Sequence, residues 1–444
     1  MTTQAGPRTA QELVNPHWWM PFTPNRDFLA DPKLVTRAAG VHYTGFDGSR
    51  ILDGSSGLFC VSAGHGRREI ADAVRDQILE LDFTPSFLRG HPGAFELARR
   101  IAGLTPPGLD RIFFANSGSE AVDSAMKIVL AYHRARGEGQ RQIFVSRERA
   151  YHGVGFGSGA LSGMVNNRRA FGLGLNGVVH LRHTQLETHR FSRGEGEAGV
   201  ELAEDLERVV ALHGAECIAA VFIEPIAGST GCLVPPRGYL RRLREICDRH
   251  GLLLVFDEVI TGLGRTGAPF AAQSFAVIPD LITMAKAITN GVQPMGAVAV
   301  RRGIYDTVLN AQDNPAAPEF FHGTTFSASP AAVAAALATL DIYASEGLFA
   351  RALELSPYFM NAVWSLADLG IVTDLRGYGL LAGFDVASDG VPGHRGYLLQ
   401  KRLFEAGLHI KTTGDSGLLA PAFTFTRDQI DEMVAILRRV LLTF

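Results

Sequence analysis

An acidic pair follows a continuously apolar stretch near the middle of the chain. Residues 252–256 are Leu, Leu, Leu, Val and Phe, and Asp257 and Glu258 come directly after them. An unbroken apolar run is typical of a strand buried on both faces of a parallel sheet. Ligands of open α/β sheets bind beyond the carboxyl ends of such strands. Asp257 is therefore predicted to face a ligand, although the position also suits a turn or a helix cap.

One of the five lysines stands between apolar residues. Lys286 follows the run LITMA and precedes Ala, Ile and an Asn-Gly turn, whereas Lys33, Lys127 and Lys401 lie in polar or helix-like segments and Lys411 lies near the C-terminus. Apolar surroundings lower the pKa of a lysine amine and make it nucleophilic. Such a lysine, together with an acid for a pyridinium nitrogen, is what pyridoxal phosphate (PLP) requires.

A turn rich in small residues could bind a phosphate. Residues 111–115 predict a strand, residues 121–135 predict a helix, and NSGSE joins them. Backbone N–H groups, the helix dipole and serine hydroxyls together suit an anion. The alternative is that Ser119 only caps the helix. The turn lacks the lysine of a Walker motif and the full glycine pattern of a dinucleotide site.

Two further candidates follow predicted strands. Tyr151 comes shortly after a strand predicted at 142–145 and could stack on a planar cofactor. Glu224 ends the apolar run 218–223, which predicts another buried strand. Both residues are therefore expected near the same edge of the sheet as the acidic pair.

Two polar segments each have two alternative roles. Residues 155–200 are rich in Gly, Asn and Arg and are predicted to be an excursion or a flap over the active site. Thr324 and Thr325 precede an Ala-rich helix predicted from about Ser329 to Tyr343. They could bind a phosphate or cap that helix.

The bulk properties exclude several classes of protein. The net charge of −3 argues against a nucleic-acid surface or a polybasic membrane patch. No apolar run approaches the roughly 20 residues of a membrane helix. Cys60, Cys217, Cys232 and Cys247 show neither paired nor metal-ligand spacing, so no metal site is expected. The N-terminus has no signal pattern, and we expect a cytoplasmic protein with reduced thiols.

The order of the predicted elements indicates an α/β protein with two domains. Strands and helices alternate from 111 to 300, which is typical of a mainly parallel sheet. A hairpin is predicted over 41–53, and residues 345–444 predict a separate α+β unit. The aromatic segment HWWMPF at 17–22 needs a covering surface, either from its own subunit or from a neighbour.

Taken together, these features resemble class III, fold-type I PLP aminotransferases over nearly the whole chain. The resemblance rests on SGSEA at 117–121, YHG at 151–153, EPI at 224–226, DEVITGLGRTG at 257–267, AK at 285–286 and HGTTFSASP at 322–330. SGLFCVSAGH, LREICDRHGLLLVFDEVITGLGR and NGVQPMGAV are most similar to the β-alanine:pyruvate (ω-amino acid:pyruvate) group. The resemblance implies a large PLP-binding domain at 61–329 with a mainly parallel seven-stranded sheet. It also implies a smaller α+β domain built from 1–60 and 330–444.

The resemblance also implies roles for individual residues. Lys286 would bind PLP covalently and move the substrate proton, and Asp257 would keep the pyridine nitrogen protonated. The other residues expected at the cofactor are Ser117, Gly118, Ser119, Tyr151, His152, Glu224, Val259, Ile260, Thr324 and Thr325, and those expected at the substrate are Phe59, Phe87, Ala227 and Lys411. Thr325 would reach the cofactor of the partner subunit, and Phe87 would reach the substrate pocket of the partner subunit. The active protein would thus be a homodimer, and two dimers could pair into a tetramer.

Two positions depart from the pattern of the family. Phe59 stands where relatives often have Trp, which would reshape the pocket only modestly. Lys411 stands where the group usually has an Arg that clamps the substrate carboxylate. Because a lysine is a point charge and an arginine a planar fork, Lys411 either binds the carboxylate more weakly or is only a structural residue.

The implied reaction is a ping-pong transamination from an ω-amino acid or primary amine, such as β-alanine, to pyruvate. A racemase or aminomutase of the same fold would share these motifs and turn over without a keto-acid substrate. A second alternative is an α/β nucleotide-binding protein that uses the 117–120 turn and does not depend on Lys286. No nucleic-acid or membrane partner is expected.

Overall fold

The computed structural model describes residues 9–172 and 174–444. The strands are β1 Val35–Ala39, β2 His42–Gly45, β3 Arg50–Asp53, β4 Arg111–Ala115, β5 Ile143–Arg147, β6 Val178–Leu181, β7 Ile218–Ile223, β8 Leu253–Asp257, β9 Leu281–Met284, β10 Gly296–Val300, β11 Val372–Tyr378, β12 Leu381–Val386, β13 Leu408–His409, β14 Lys411–Thr413 and β15 Ser416–Leu419.

The helices alternate with these strands. They are α1 Ala10–Leu13, α2 Asn25–Ala30, the irregular turn α3 Ser56–Phe59, α4 Arg68–Glu80, α5 Pro92–Ala102, α6 Gly118–Ala135, α7 Phe156–Leu161, α8 Val165–Phe171, α9 Asp205–His213, α10 Tyr239–His250, α11 Ala271–Ser274, α12 Arg302–Leu309, α13 Pro330–Ser345, α14 Leu348–Trp364, α15 His394–Glu405 and α16 Arg427–Leu441. Short 3₁₀ turns occur at Glu187–His189, Val200–Glu204, Ala215–Cys217, Lys286–Thr289 and Ser365–Asp368.

The largest sheet has seven strands in the order β4-β10-β9-β8-β7-β5-β6. Strand β10 runs antiparallel to both of its neighbours, and the remaining pairs are parallel. Every residue of β7, β8 and β9 is buried, as continuous apolar runs between two helical layers require. The predicted mainly parallel seven-stranded sheet is therefore confirmed, and it puts the carboxyl ends of β7, β8 and β9 side by side.

Two smaller sheets accompany it. The first has the order β1-β2-β3-β13, in which β13 runs parallel to β3, so the two ends of the chain share one sheet. The second has the order β11-β12-β15-β14. The chain passes from one sheet to the other at Ile410, because His409 pairs with the first and Lys411 with the second.

The excursion predicted over 155–200 contains more regular structure than expected. Strand β6 lies inside it and pairs with β5 from Phe144↔Val178 to Arg147↔Leu181, which makes β6 an edge strand of the main sheet. Helices α7 and α8 precede it. The prediction of a simple flap is wrong here because a four-residue apolar strand is too short to stand out among polar neighbours.

The aromatic segment at 17–22 remains largely uncovered by its own chain. Trp19 is 88% exposed, and Trp18 and Phe22 are also exposed. Pro21 and Phe22 border a cleft whose opposite wall includes Phe156 and Phe171. Among the described helices, none alone is long and apolar enough to cross a membrane, and one sharply bent pair, Pro330–Ser345 with Leu348–Asp368, has the length and composition only when both members are combined.

Candidate active site

One cleft collects most of the predicted cofactor residues. It lies at the carboxyl ends of β7, β8 and β9 and is lined by Gly118, Ser119, Tyr151, His152, Gly153, Glu224, Asp257, Val259, Ile260, Ala285 and Lys286. Residues from five separate stretches of sequence therefore meet at one edge of the sheet. This is the position at which open α/β sheets bind ligands.

Lys286 follows β9 in an unusual backbone conformation. Its φ of 51° lies in the left-handed region, which non-glycine residues seldom adopt and which occurs often at active sites. The turn is held by Asn290, whose side chain accepts from Ala63 N (2.9 Å) and donates to Gly64 O (2.9 Å). The Tyr343 hydroxyl also donates to the carbonyl of the residue after the lysine. The surrounding structure thus fixes the direction in which the amine leaves the sheet.

The other lysines that the sequence assigned to polar surroundings lie outside the cleft. Lys127 is exposed, with Nζ 3.3 Å from Nδ1 of His322. Lys33 pairs with Asp31, and Lys401 pairs with an aspartate of α2. The choice of Lys286 as the one lysine facing the acidic strand end is consistent with these positions.

Asp257 ends β8 and is 4% exposed. Its Oδ2 lies 2.8 Å from Nδ1 of His152, and Nε2 of that ring lies 3.1 Å from the Ser146 hydroxyl. Its Oδ1 accepts from Val259 N at 3.1 Å. One oxygen of the carboxylate is thus held by an imidazole and the other by a backbone N–H group. This arrangement can keep the carboxylate negatively charged beside a cationic ring nitrogen.

Glu258, the second acid of the pair, serves the framework. Its carboxylate accepts from Ala271 N (2.5 Å), Ala272 N (2.9 Å) and the Thr261 hydroxyl (3.0 Å). Burial raises the pKa of Glu258 to about 7, although these hydrogen bonds act to lower it. Of the acidic pair, Asp257 lines the cleft and Glu258 does not.

The start of α6 forms the opposite end of the cleft. Ser117 is the N-cap residue, and its hydroxyl accepts from Glu120 N at 3.2 Å. The Ser119 hydroxyl instead accepts from Val154 N at 3.1 Å, so the alternative that Ser119 caps the helix is wrong. A Cβ atom on Gly153 would lie 2.5 Å from the Ser119 oxygen, which explains a glycine with φ of 130° there. The helix N-terminus and a serine hydroxyl are thus available to an anion.

Glu224 is buried beside the predicted stacking tyrosine. Its Oε1 accepts from Tyr151 N (2.8 Å) and its Oε2 from Gly228 N (3.2 Å). Burial raises the pKa of Glu224 to about 7, with the negative charge of Asp257 adding to the shift and His152 opposing it. Burial also raises the pKa of Tyr151, with help from both carboxylates. The glutamate therefore fixes the backbone of the loop that carries Tyr151.

The two threonines predicted at the phosphate do not line this cleft. The Thr324 hydroxyl accepts from Asn116 Nδ2 (3.0 Å) and lies 2.8 Å from the Ser327 hydroxyl. Thr325 is exposed. The N-cap residue of α13 is Ser329, so the alternative that either threonine caps that helix is wrong.

Phe87 lies on the same face of the molecule as Thr325. It is 59% exposed, and its ring would lie 3.0 Å from a Cβ atom on Gly323. Neither Phe87 nor Thr325 contributes to the cleft of its own chain. Both side chains are therefore exposed on the surface of the single chain.

The predicted substrate residues other than Phe87 lie where the second small sheet meets the cleft. Phe59 is 2% exposed and packs in a cluster with Ile260, which lines the cleft, and Leu418. Lys411 is the cross-strand partner of Leu418 and so lies on the same face of the sheet. Burial lowers the pKa of Lys411, which is half-buried. Ala227 is buried beside this cluster, next to Ile226.

Sequence analysis missed two residues that position the site. Ser146 supports the far side of the imidazole, and Asn290 locks the lysine turn. Asn290 belongs to an Asn-Gly pair that signals a turn, but the signal does not reveal what the side chain binds. Ser146 lies inside a strand. No pattern of neighbouring residues indicates that its hydroxyl meets His152, six residues further along the chain.

The cleft suits PLP by the chemistry of its walls. A carboxylate stands at one end, an amine on the β9 side, and a helix N-terminus with a serine hydroxyl at the other end. These match a ring nitrogen, an aldehyde and a phosphate, in that order. Between the two ends of the cleft, Val259 supplies an aliphatic wall and Tyr151 supplies an aromatic wall.

Comparison with known proteins gives a consistent result. A family model described as Aminotransferase class-III matches residues 26–441. An omega-aminotransferase of Caulobacter vibrioides is 52% identical, with 96% of this chain and 97% of the relative covered. An omega-amino acid–pyruvate aminotransferase of Pseudomonas putida is 43% identical, with 99% of each chain covered.

Solved structures show the same similarity. An (S)-enantioselective omega-transaminase of Thermomicrobium roseum superposes with a TM-score of 0.89 at 34% identity, covering 96% of each chain. An amine transaminase from an uncultivated Pseudomonas species, solved in its PLP-bound form, superposes with a TM-score of 0.87 at 32% identity. That alignment covers 97% of this chain and 99% of the neighbour.

Proposed function

The chain belongs to the class-III aminotransferases, and we propose that it moves an amino group from an ω-amino acid or primary amine, such as β-alanine, to pyruvate. Enzymes of this family depend on PLP. The choice of donor and acceptor is supported by the names of the Pseudomonas putida relative and of a β-alanine–pyruvate aminotransferase of Pseudomonas aeruginosa. A racemase or aminomutase has no counterpart among these relatives.

The observation that carries the proposal is the meeting of Lys286, Asp257 and the N-terminus of α6 in one cleft. Bound PLP would supply an electron sink for the carbon that loses its proton. Lys286 would hold the cofactor and then move a proton at its Nζ, and Asp257 would keep the ring nitrogen protonated. Gly118 and Ser119 would bind the phosphate.

The remaining cofactor residues would orient the ring. We assign Tyr151 and Val259 to its two faces, with Ile260 beside the substrate. Glu224 would organise the backbone near the ring hydroxyl, as its bond to Tyr151 N supports. Two residues would act indirectly. Ser117 would cap α6, and Thr324 would act through its hydrogen bond with Asn116.

The exposed residues support a homodimer with shared active sites. Thr325 and Phe87 are exposed and do not line the cleft of their own chain, and Trp19 is 88% exposed. A second copy would bury these groups and bring the threonine to the phosphate of the neighbouring site. We also propose the division into a large domain at 61–329 and a small domain from 1–60 and 330–444, together with a cytoplasmic location in which the four free cysteines stay reduced.

An absorption experiment tests the proposed function. The purified holoenzyme should show the visible band of lysine-bound cofactor, lose it on addition of β-alanine and regain it on addition of pyruvate. These two changes correspond to the two half-reactions of a ping-pong transaminase. A band that does not respond to any amine would contradict the proposed reaction. A band that is lost with another amine but not with β-alanine would change only the assignment of the donor.

Lys411 is proposed to bind the carboxylate of pyruvate as a single charge. Because a guanidinium forms two parallel bonds to a carboxylate, Lys411→Arg should lower the Michaelis constant for pyruvate by about three- to tenfold. Steady-state kinetics with varied pyruvate checks this, and Lys127→Arg, at an exposed lysine of α6, is the matched control. An unchanged constant in Lys411→Arg would leave Lys411 as a structural residue.

A further inference from the structure

The segment that carries Phe59 has a backbone conformation that its own residues do not favour. Within residues 55–60, here called the Phe59 loop, φ is 47° at Ser56, 67° at Gly57 and 63° at Phe59. Left-handed conformations at two non-glycine residues so close together persist only where contacts hold them. The loop delivers a fully buried aromatic ring to the cluster beside Ile260. Something outside the loop must therefore fix its shape.

The carboxylate of Asp53 makes the contacts that can do so. It stands at the end of β3, is 1% exposed, and accepts from Ser55 N (3.2 Å) and Gly57 N (2.5 Å). Its Oδ2 also lies 2.8 Å from Nε2 of His65. Tyr43 packs on that imidazole, with ring centroids 4.6 Å apart. One buried carboxylate thus binds two backbone N–H groups of the loop while an imidazole holds the carboxylate.

The first half of the loop has separate anchors. The Ser55 hydroxyl donates to Leu418 O (2.8 Å), and the Ser56 hydroxyl donates to Ala420 O (2.7 Å). These contacts with the β15 region do not involve Asp53. Removing the carboxylate would therefore leave Ser55 and Ser56 attached and release the N–H of Gly57, whose carbonyl would still lie 3.1 Å from Nε2 of His409.

We propose that Asp53 is a positioning residue that sets which donors fit, by holding the Phe59 loop in its disfavoured conformation. The inference rests on the proposed function and deepens it, since Phe59 belongs to the buried cluster that supports Ile260, a residue of the cleft. Asp53 does not line the cleft and acts only through the loop. A fixed Phe59 ring limits the pocket to donors with small groups near the amine, and a loosened ring admits larger ones.

The Asp53→Asn variant tests this proposal. The two N–H groups bind different oxygens of Asp53, Ser55 N at Oδ1 and Gly57 N at Oδ2, so an asparagine would place an NH2 donor against one of them. We expect kcat/KM for 1-phenylethylamine relative to β-alanine to rise by about tenfold. Hydrogen–deuterium exchange over residues 54–61 should become faster, measured with and without cofactor. The visible band of bound cofactor should not change.

A double-mutant comparison separates this role from general destabilisation. Phe59→Ala should itself favour the larger amine, and adding Asp53→Asn to it should change the donor ratio by less than about twofold, since residues that act through one another are not additive. Asp205→Asn is the matched control, because Asp205 is also buried but pairs with Arg182 (2.6 Å), away from the loop. Its donor ratio should stay at the wild-type value.

Distinct outcomes separate failure of this inference from failure of the proposed function. Unchanged exchange in Asp53→Asn, or a donor ratio within about twofold of wild type, would overturn the positioning role. So would an equal effect of Asp53→Asn in the Phe59→Ala background. If Asp53→Asn does not fold, His65→Gln replaces it, and it should move the ratio in the same direction by a smaller factor. Wild-type protein inactive with both amines would refute the proposed function instead, and loop exchange would still test the contact.

Discussion

Lys286→Ala should abolish transamination, with kcat reduced by at least about 10³-fold. Lys286 is the lysine of the cleft wall, and its left-handed backbone is held in place by Asn290. Alanine removes both the amine that would bind the cofactor and the group that would move the proton. No other lysine lines the cleft among the described residues, so no neighbour can substitute.

The covalent role of Lys286 can be measured apart from activity. Reduction of the wild-type holoenzyme with borohydride, followed by peptide mass spectrometry, should place the mass of the cofactor on the peptide containing Lys286. The Lys286→Ala protein should give no modified peptide. Lys401→Ala, which removes a lysine paired with Asp27 far from the cleft, should retain both the modification and the activity. More than a tenth of wild-type activity in Lys286→Ala would refute the assignment.

The sequence predicts the central sheet and the acid–lysine pair because both depend on local patterns. The run before Asp257 and the run before Lys286 are short, apolar and bounded, and each became a fully buried strand. The alternation of strands and helices predicts a mainly parallel sheet, whereas the number of seven strands is implied only by the resemblance to the family. The same reasoning missed β6, whose four residues lie between polar segments.

The supporting contacts could not be predicted because they join residues that are distant along the chain. Asp53 bonds to His65, twelve residues on, and Asn290 bonds to the backbone at Ala63. Ser146 of β5 meets the same His152 ring that contacts Asp257 at the end of β8, two strands away in the sheet. A pattern of apolar residues specifies which faces are buried but not which buried polar groups will meet. Residues that orient a site are therefore harder to find than those that carry its chemistry.

Asp257→Asn should reduce kcat by about 10²–10³-fold while the cofactor remains bound. An amide cannot keep a pyridine nitrogen protonated, so the electron sink is lost although the shape of the side chain is preserved. The His152 ring, now 2.8 Å from Oδ2 of Asp257, would face an amide in place of a charge. The loss in kcat should therefore exceed the loss in affinity for the cofactor. Steady-state kinetics gives the first quantity and equilibrium titration with the cofactor gives the second.

A buried carboxylate at the other end of the same strands provides the control. Asp280 precedes β9, accepts from Leu254 N at 2.8 Å and pairs with Arg244, so Asp280→Asn also removes a buried charge from the sheet. Because that charge lies at the amino ends of the strands, the folded Asp280→Asn protein should keep its kcat. Equal losses of kcat in the two variants would mean that Asp257 only stabilises the sheet. A large loss confined to Asp257→Asn would tie the charge at the carboxyl end of β8 to the chemistry.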